Sequence, residues 1–385
     1  MPSESRDVDI VLLGATGFTG ALIADYLAAN TPSAVTIAVA GRNQAKIDAV
    51  VARTRGRFGS ITVDATDPVG LRNLTARSRV LITTVGPYLV HGDPVVAACA
   101  DTGTDYLDLT GESEFADLTY LKHHDRAVAT GARLIHACGF DSVPHDLGAQ
   151  FTVDQLPEGV PLQVRGYVKM RGTFSGGTAA SALEVMSRMR QARTTHAIRR
   201  QVEPDPDDRT VTVASGRIGR DESTGWWVVP APTIDPLVVA ESARQLTRYG
   251  PDFTYSHFLA SDGPVASAAG LAGIGALVAL AQVPPARRAL ARLRPAGTGP
   301  TPEQRAKAWF RVRFVGEGGG KRVTTEVAGG DPGYTETSKM ISEAALCLAI
   351  DELPVTAGQV TTASALGPAL RTRLQSAGIS FTVVD

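Results

Sequence analysis

Lysine is scarce in this chain: it stands only at positions 46, 122, 169, 307, 321 and 339, so arginine supplies nearly all of the 38 basic residues. Against 39 acidic residues the net charge is −1, which leaves no chain-wide field for a phosphate backbone, and no nucleic-acid partner is expected. The arginine bias reads as GC-rich coding and carries no functional weight. Cysteine is scarcer still. Cys99, Cys138 and Cys347 lie far apart without a C-x-x-C, which excludes a disulfide framework and a cysteine-rich zinc site and fits a reducing cytoplasm. G-x-S-x-G is absent, so serine hydrolase chemistry has no support. His123 and His124 are sequence neighbours, about 100° apart on a helix, and cannot close on one metal ion as an i, i+4 pair could. No metal site is expected. Met1–Asp9 lacks the basic start and apolar stretch of a secretory signal, which points to a protein that stays inside the cell.

With 43% apolar and 20% charged residues the 385-residue chain is an ordinary globular composition, long enough for two domains. From Val8 to His136, strand candidates (Val8–Leu13, Val35–Ala40, Ile61–Val63, Val80–Val85, Tyr106–Asp108, Arg133–Ile135) alternate with helical stretches and Gly-bearing turns. That alternation predicts an α/β, Rossmann-type doubly wound parallel sheet over residues 1–150. Residues 151–330 change to longer strand-like runs with inserted helices, a mixed α+β domain. Residues 331–385 predict a helical tail, centred on Gly333–Asp351, that packs back on the first domain.

The first strand runs into Gly14-Ala15-Thr16-Gly17-Phe18-Thr19-Gly20 and then into a helix. Gly14 suits the tight turn, Gly17 the approach of a pyrophosphate and Gly20 close helix–strand packing, with the Thr16 and Thr19 hydroxyls assisting. Phe18 belongs to this loop but reads more as a packing residue. A site for NAD needs a carboxylate after the second strand; between Thr31 and Ile47 there is none, and Arg42 stands where a 2′-phosphate would sit. The cofactor expected is therefore NADPH. Thr84-Val85-Gly86-Pro87 ends the fourth strand, where the backbone either passes the nicotinamide ribose or merely turns.

Several segments together resemble the saccharopine dehydrogenase-like oxidoreductase family: Gly14–Gly20, Thr84–Tyr88 with His91-Gly92, Gly103–Tyr106 leading to Asp108–Glu112, His136–Pro144 with Asp146, Ser175–Thr178 and Gly330–Thr337. The branch it looks like is the trans-acting enoyl reductases. That resemblance implies NADPH-dependent reduction of an α,β-unsaturated acyl thioester held by an acyl carrier protein or polyketide synthase, in lipid biosynthesis. Two alternatives stay open: a saccharopine-type amino-acid or imine dehydrogenase, although no basic cluster for an amino-dicarboxylate stands out, and a lipid- or membrane-associated NADP-binding protein without turnover.

Enoyl reduction needs a hydride, donors for the developing enolate and a proton for the α-carbon. Tyr88 is the first candidate for proton or hydrogen-bond donor and His91 the second. Asp108, Glu112, His136, Cys138, Asp141, Ser142 and His145 also fall at strand ends. For these, capping, turn-binding and simple burial compete with chemistry. Ser175, Gly176 and Gly177 could admit the substrate close to backbone, or form a plain turn.

Val265–Val283 carries no charge and is rich in Ala and Gly. A buried or substrate-lining helix is the favoured reading. Peripheral contact with the inner face of the membrane is the second, and a span is the third.

Overall fold

The computed structural model describes residues 6–172, 184–203, 206, 208–231, 233–283, 285–286 and 299–384. These divide into two units: residues up to Gly139 with Arg193–Val202 and Tyr334–Ala377, and Phe140–Ala192 with Glu203–Gly333 and the chain from Gly378 onward.

In the first unit, β1 (Val8–Leu13), β2 (Ile37–Gly41), β3 (Gly59–Thr62), β4 (Ser78–Thr83), β5 (Asp105–Leu107) and β6 (Arg133–Ile135) pair in parallel in the order 3-2-1-4-5-6. The doubly wound sheet read from the sequence is the one observed. A tail strand, Gly358–Val360, extends it beyond β6. From Ile10 onward β1 is apolar because a parallel sheet is covered on both faces: Ile10, Val11, Leu12 and Leu13 are all buried. Between the strands run α1 (Phe18–Asn30), α2 (Gln44–Arg53), α3 (Pro68–Ala76), the single turn α4 (Tyr88–His91), α5 (Asp93–Thr102) and α6 (Ser113–Thr130). Local chemistry starts two of them: the Asn43 side chain accepts from the Lys46 amide at α2, and Asp67 accepts from Val69 ahead of Pro68 at α3. The helix Thr335–Ile350 belongs to this unit, where the Tyr26 hydroxyl donates to Glu343 at 2.7 Å.

The second unit holds a mixed sheet. Its central strands β7 (Leu162–Arg171), β11 (Asp252–Ser261), β12 (Trp309–Gly318) and β13 (Lys321–Gly329) are long. β8 (Thr210–Val213), β9 (Gly219–Arg220), β10 (Trp227–Pro230) and β14 (Ser380–Val383) are short, and β10 lies between β9 and β11. β7 pairs in parallel with β11 and antiparallel with β12. The helix Val143–Val153 lies in this unit, and the leading segment of the first unit stops at Gly139, short of residue 150.

The apolar run forms the helix Pro264–Ala281. The favoured expectation of a buried helix is corrected here: among its described side chains only Ala281 is buried. Gly270, Gly273 and Gly275 have no heavy atom within 4 Å of where a Cβ would stand, so among the described residues no neighbouring element packs on them.

Candidate cofactor and active site

The glycine loop joins β1 to α1 with little room to spare. Gly14 sits at φ +95°, and a Cβ there would lie 2.6 Å from Thr84 Oγ1. A Cβ on Gly20 would lie 2.3 Å from the Gly14 carbonyl oxygen, so α1 can meet the strand only without a side chain at that point. Gly17 differs: its hypothetical Cβ meets only the Gly14 oxygen, at an ordinary 3.5 Å, and it is exposed with Thr16 beside it. It caps α1 in extended backbone without any side-chain hydrogen bond, and the first turn of α1 contains no acid. A helix start that spends no side chain on its free N–H groups suits an anion of the size and charge of a pyrophosphate. Phe18 turns away from that role, its ring packing edge-on against Tyr334 at 5.1 Å.

Arg42 follows β2, is exposed, and forms no hydrogen bond or ion pair with any described residue. A carboxylate is nevertheless close by. Asp64, just after β3, is held below the ordinary carboxylate range first by the Thr66 amide and hydroxyl, then by the charges of Arg42 and His91. Arg42, Asp64 and His91 follow β2, β3 and β4 of one parallel sheet and so share its carboxyl end. His91 itself is half-buried at the close of α4.

At the end of β4, Thr84 braces the glycine loop: its amide donates to the Leu13 carbonyl and its hydroxyl to that of Gly14, at 3.0 and 3.1 Å. Val85 is half-buried and its amide donates to Thr83 Oγ1. Gly86 is exposed and joined to Pro87 by a cis peptide bond. Tyr88 is buried. Its hydroxyl donates to the Thr83 carbonyl and accepts from the Leu109 amide, both at 3.2 Å. Burial, and then the Asp108 charge, hold the phenol protonated far above its usual range. Both functions of the hydroxyl are thus spent on backbone, which makes it a pin between β4 and the β5 loop. Glu112 completes the pin, accepting from the Tyr88 and Leu89 amides at 3.0 and 2.9 Å.

Asp108 gathers its partners from both sides of β6. One carboxylate oxygen accepts from the Thr110 and Ala137 amides; the other accepts from the Tyr106 hydroxyl and lies 2.7 Å from His136 Nδ1. The imidazole is clasped edge-on by Tyr106 and Phe115, and its Nε2 has no hydrogen-bond partner among the described residues. The result is a carboxylate-oriented histidine with one nitrogen unspent. Cys138 is fully buried, its thiol facing the Ile135 carbonyl, in keeping with a small apolar side chain.

Ser175, Gly176 and Gly177 lie outside the described residues. In the second unit, His145 Nδ1 lies 3.0 Å from Asp235 and His257 Nε2 lies 3.8 Å from it, while the Tyr255 hydroxyl holds His257 Nδ1 at 2.9 Å. Burial pushes both imidazoles down to about 3, so the rings are neutral. This trio has metal-competent atoms, but among the described residues no fourth His, Cys, Asp or Glu joins it.

Residues 10–135 match the saccharopine dehydrogenase NADP binding domain family. A Mycobacterium tuberculosis protein named as a putative trans-acting enoyl reductase is 37% identical over an alignment of 422 positions, covering 99% of this chain and 98% of its own. The Mycobacterium leprae trans-acting enoyl reductase is 34% identical, with 98% of each chain covered. Among solved structures, saccharopine dehydrogenase (L-Glu forming) from Saccharomyces cerevisiae superposes with a TM-score of 0.56 at 14% identity, covering 98% of this chain and 100% of that one, a likeness of fold. The uncapped α1, the acid-free second strand and this full-length kinship agree: the chain belongs to the trans-acting enoyl reductase family and is an NADP-dependent oxidoreductase.

Proposed function

We propose that the protein reduces the carbon–carbon double bond of an α,β-unsaturated acyl thioester, presented by the acyl carrier protein of a partner polyketide synthase during lipid assembly in the cytoplasm. The observation that carries this reading is the open N-terminus of α1, with Arg42 following the neighbouring strand β2, in a chain related end to end to enzymes of that name. The α1 amides with Thr16 and Thr19 hold the pyrophosphate, Arg42 takes the 2′-phosphate, and Thr84–Pro87 lies along the nicotinamide ribose. Bound there, NADPH supplies the hydride.

What remains for the chain's own side chains is to stabilise enolate charge and to deliver a proton to the α-carbon. His91 and the Asp108-oriented His136 are assigned to that work. Tyr88, whose hydroxyl is engaged at both ends, holds the loop that carries His91. Loss of nicotinamide absorbance on adding crotonyl-type thioesters tests the reading. Turnover on a keto acid with lysine or glutamate instead would make this a saccharopine-type enzyme. Tight NADPH binding without turnover on either would make it a binding protein.

A further inference from the structure

The helix Val143–Val153, the helix Asp235–Gln245 and β11 each place one polar side chain in the same buried spot of the second unit. His145, Asp235 and His257 are 2%, 4% and 4% exposed, and their ligating atoms all lie within 4.8 Å of one another. These positions are too far apart in the chain for a metal-binding spacing to show, so only the fold assembles them.

Without a cation the cluster is poorly satisfied. Both imidazoles are neutral, and among the described residues no lysine or arginine pairs with Asp235. Burial raises the Asp235 carboxyl, and a buried carboxylate without a counter-charge is costly. Desolvation, and then the Asp235 charge, push the Asp141 carboxyl up to about 7, so a second acid adds to the negative field. Hydrogen bonding does not offset this. His145 Nδ1 and Asp235 Oδ1 are 3.0 Å apart, yet each lacks a hydrogen-bond partner among the described residues, so the contact is too bent to be one. Two ligands of one ion stand in this way: at about 2.0–2.1 Å from a tetrahedral centre they lie about 3.3 Å apart, aimed at the ion and not at each other.

The surrounding contacts orient the set. The Tyr255 hydroxyl meets His257 Nδ1 at 2.9 Å, which leaves Nε2 for Asp235, and the Phe140 backbone hydrogen-bonds the His145 ring. The carboxylate presents Oδ1 to His145 and Oδ2 to His257, at 3.0 and 3.8 Å, so a bidentate Asp235 and two imidazole nitrogens supply four donors without a water. Nitrogen donors suit zinc-class ions over magnesium or calcium, which take oxygen. We propose that His145, Asp235 and His257 bind one zinc-class divalent ion that ties the two helices to β11 and stabilises the second unit.

The full chain without a histidine tag, stripped with EDTA, tests this. After zinc addition and desalting it should retain one Zn2+ per chain by metal analysis, and its melting temperature should rise by about 5 °C or more at a hundredfold excess of Zn2+ over Kd. Asp235→Asn and His257→Gln, close in size to the residues they replace, should lose both the zinc and the shift at unchanged circular dichroism. Should either variant fail to fold, the wild type loaded with Co2+ decides: the strong visible absorption of a four-coordinate ion upholds the site, and the weak spectrum of a six-coordinate one overturns it. A wild-type chain that retains no zinc and melts at one temperature with and without it overturns the proposal. Full zinc retention in folded Asp235→Asn and His257→Gln does the same, since the ion would then sit elsewhere and the trio would be a plain polar cluster.

Discussion

Removing the guanidinium of Arg42 should change which nicotinamide cofactor the enzyme prefers while leaving its fold alone. The side chain is exposed and bonds to no described residue, so Arg42→Ala costs nothing in packing and shifts Tm by a degree or less. A charge-assisted contact to the 2′-phosphate is worth about 1.5–3 kcal/mol, and only NADPH can make it. At about 1.4 kcal/mol per factor of ten, kcat/KM for NADPH should fall roughly 10- to 100-fold while that for NADH stays within about twofold. Asp64 supplies an opposite perturbation. Its carboxylate stands near Arg42 and would face the same phosphate, while one of its oxygens accepts from the Thr66 amide and hydroxyl at 2.9 and 2.8 Å. Asp64→Asn keeps an oxygen for those bonds and removes the negative charge, so KM for NADPH should drop and KM for NADH should not. Steady-state kinetics on the two cofactors with one thioester read both effects. An unchanged NADPH/NADH ratio in Arg42→Ala, or a higher KM for NADPH in Asp64→Asn, would refute the placement of the 2′-phosphate.

Two glycines of the loop separate packing from binding. Gly20→Ala drives a methyl into the Gly14 backbone and should cost about 1–3 kcal/mol or more in urea unfolding. Gly17→Ala, with free space around it, should leave unfolding unchanged and raise the NADPH Kd in a fluorescence titration. Tyr88→Phe should lose about 1–2 kcal/mol of stability, because the Leu109 amide is left without its acceptor, yet keep kcat within a few fold. His136→Gln and Asp108→Asn should lower kcat about 100-fold with NADPH affinity intact; an equal loss in Tyr88→Phe would return the donor role to the phenol. Finally, Arg373 grips Asp351 at both oxygens and Glu343 besides, which holds the Asp351 carboxyl below its usual range. The native state then binds fewer protons than the unfolded chain near pH 4, so this stabilisation is present above about pH 4 and fades as pH falls through the lowered value. Arg373→Met should be less stable than wild type at neutral pH, by about 1–3 kcal/mol, and the gap should narrow on acidification, as followed by thermal melts.

The central strands of the cofactor domain were legible because burial on both faces writes them as short apolar runs, Ile10–Leu13 of β1 most clearly. The strand Gly358–Val360 was not. Three residues beginning with glycine carry no periodicity, and this strand exists because it pairs with Arg133–Ile135 while the His124 ring accepts from the Gln359 amide. That contact also explains the adjacent histidines: His124 reaches the tail strand and His123 reaches Asp93 at 3.2 Å, so the pair serves two elements. The exposure of Pro264–Ala281 was equally invisible, since an Ala/Gly-rich run has the same composition whether a core or a membrane receives it.

At the site, legibility divided along the same physical line. The glycine loop could be read because its function lies in backbone geometry, and glycine is the only residue that tolerates the contacts at Gly14 and Gly20. Side-chain roles could not be read, because they depend on which donor meets which acceptor across the sheet. Tyr88 looked like a free phenol beside a cofactor, but the β5 loop supplies the Leu109 amide that occupies it. Asp108 looked like one acid in a short turn, yet β6 brings His136 and the Ala137 amide onto it from 28 and 29 residues away. A buried carboxylate that already satisfies two amides and a phenol can hold an imidazole in one orientation at little added entropic cost. That is why the unspent Nε2 of His136 has a stronger claim on the reacting proton than the tyrosine the motif first suggested.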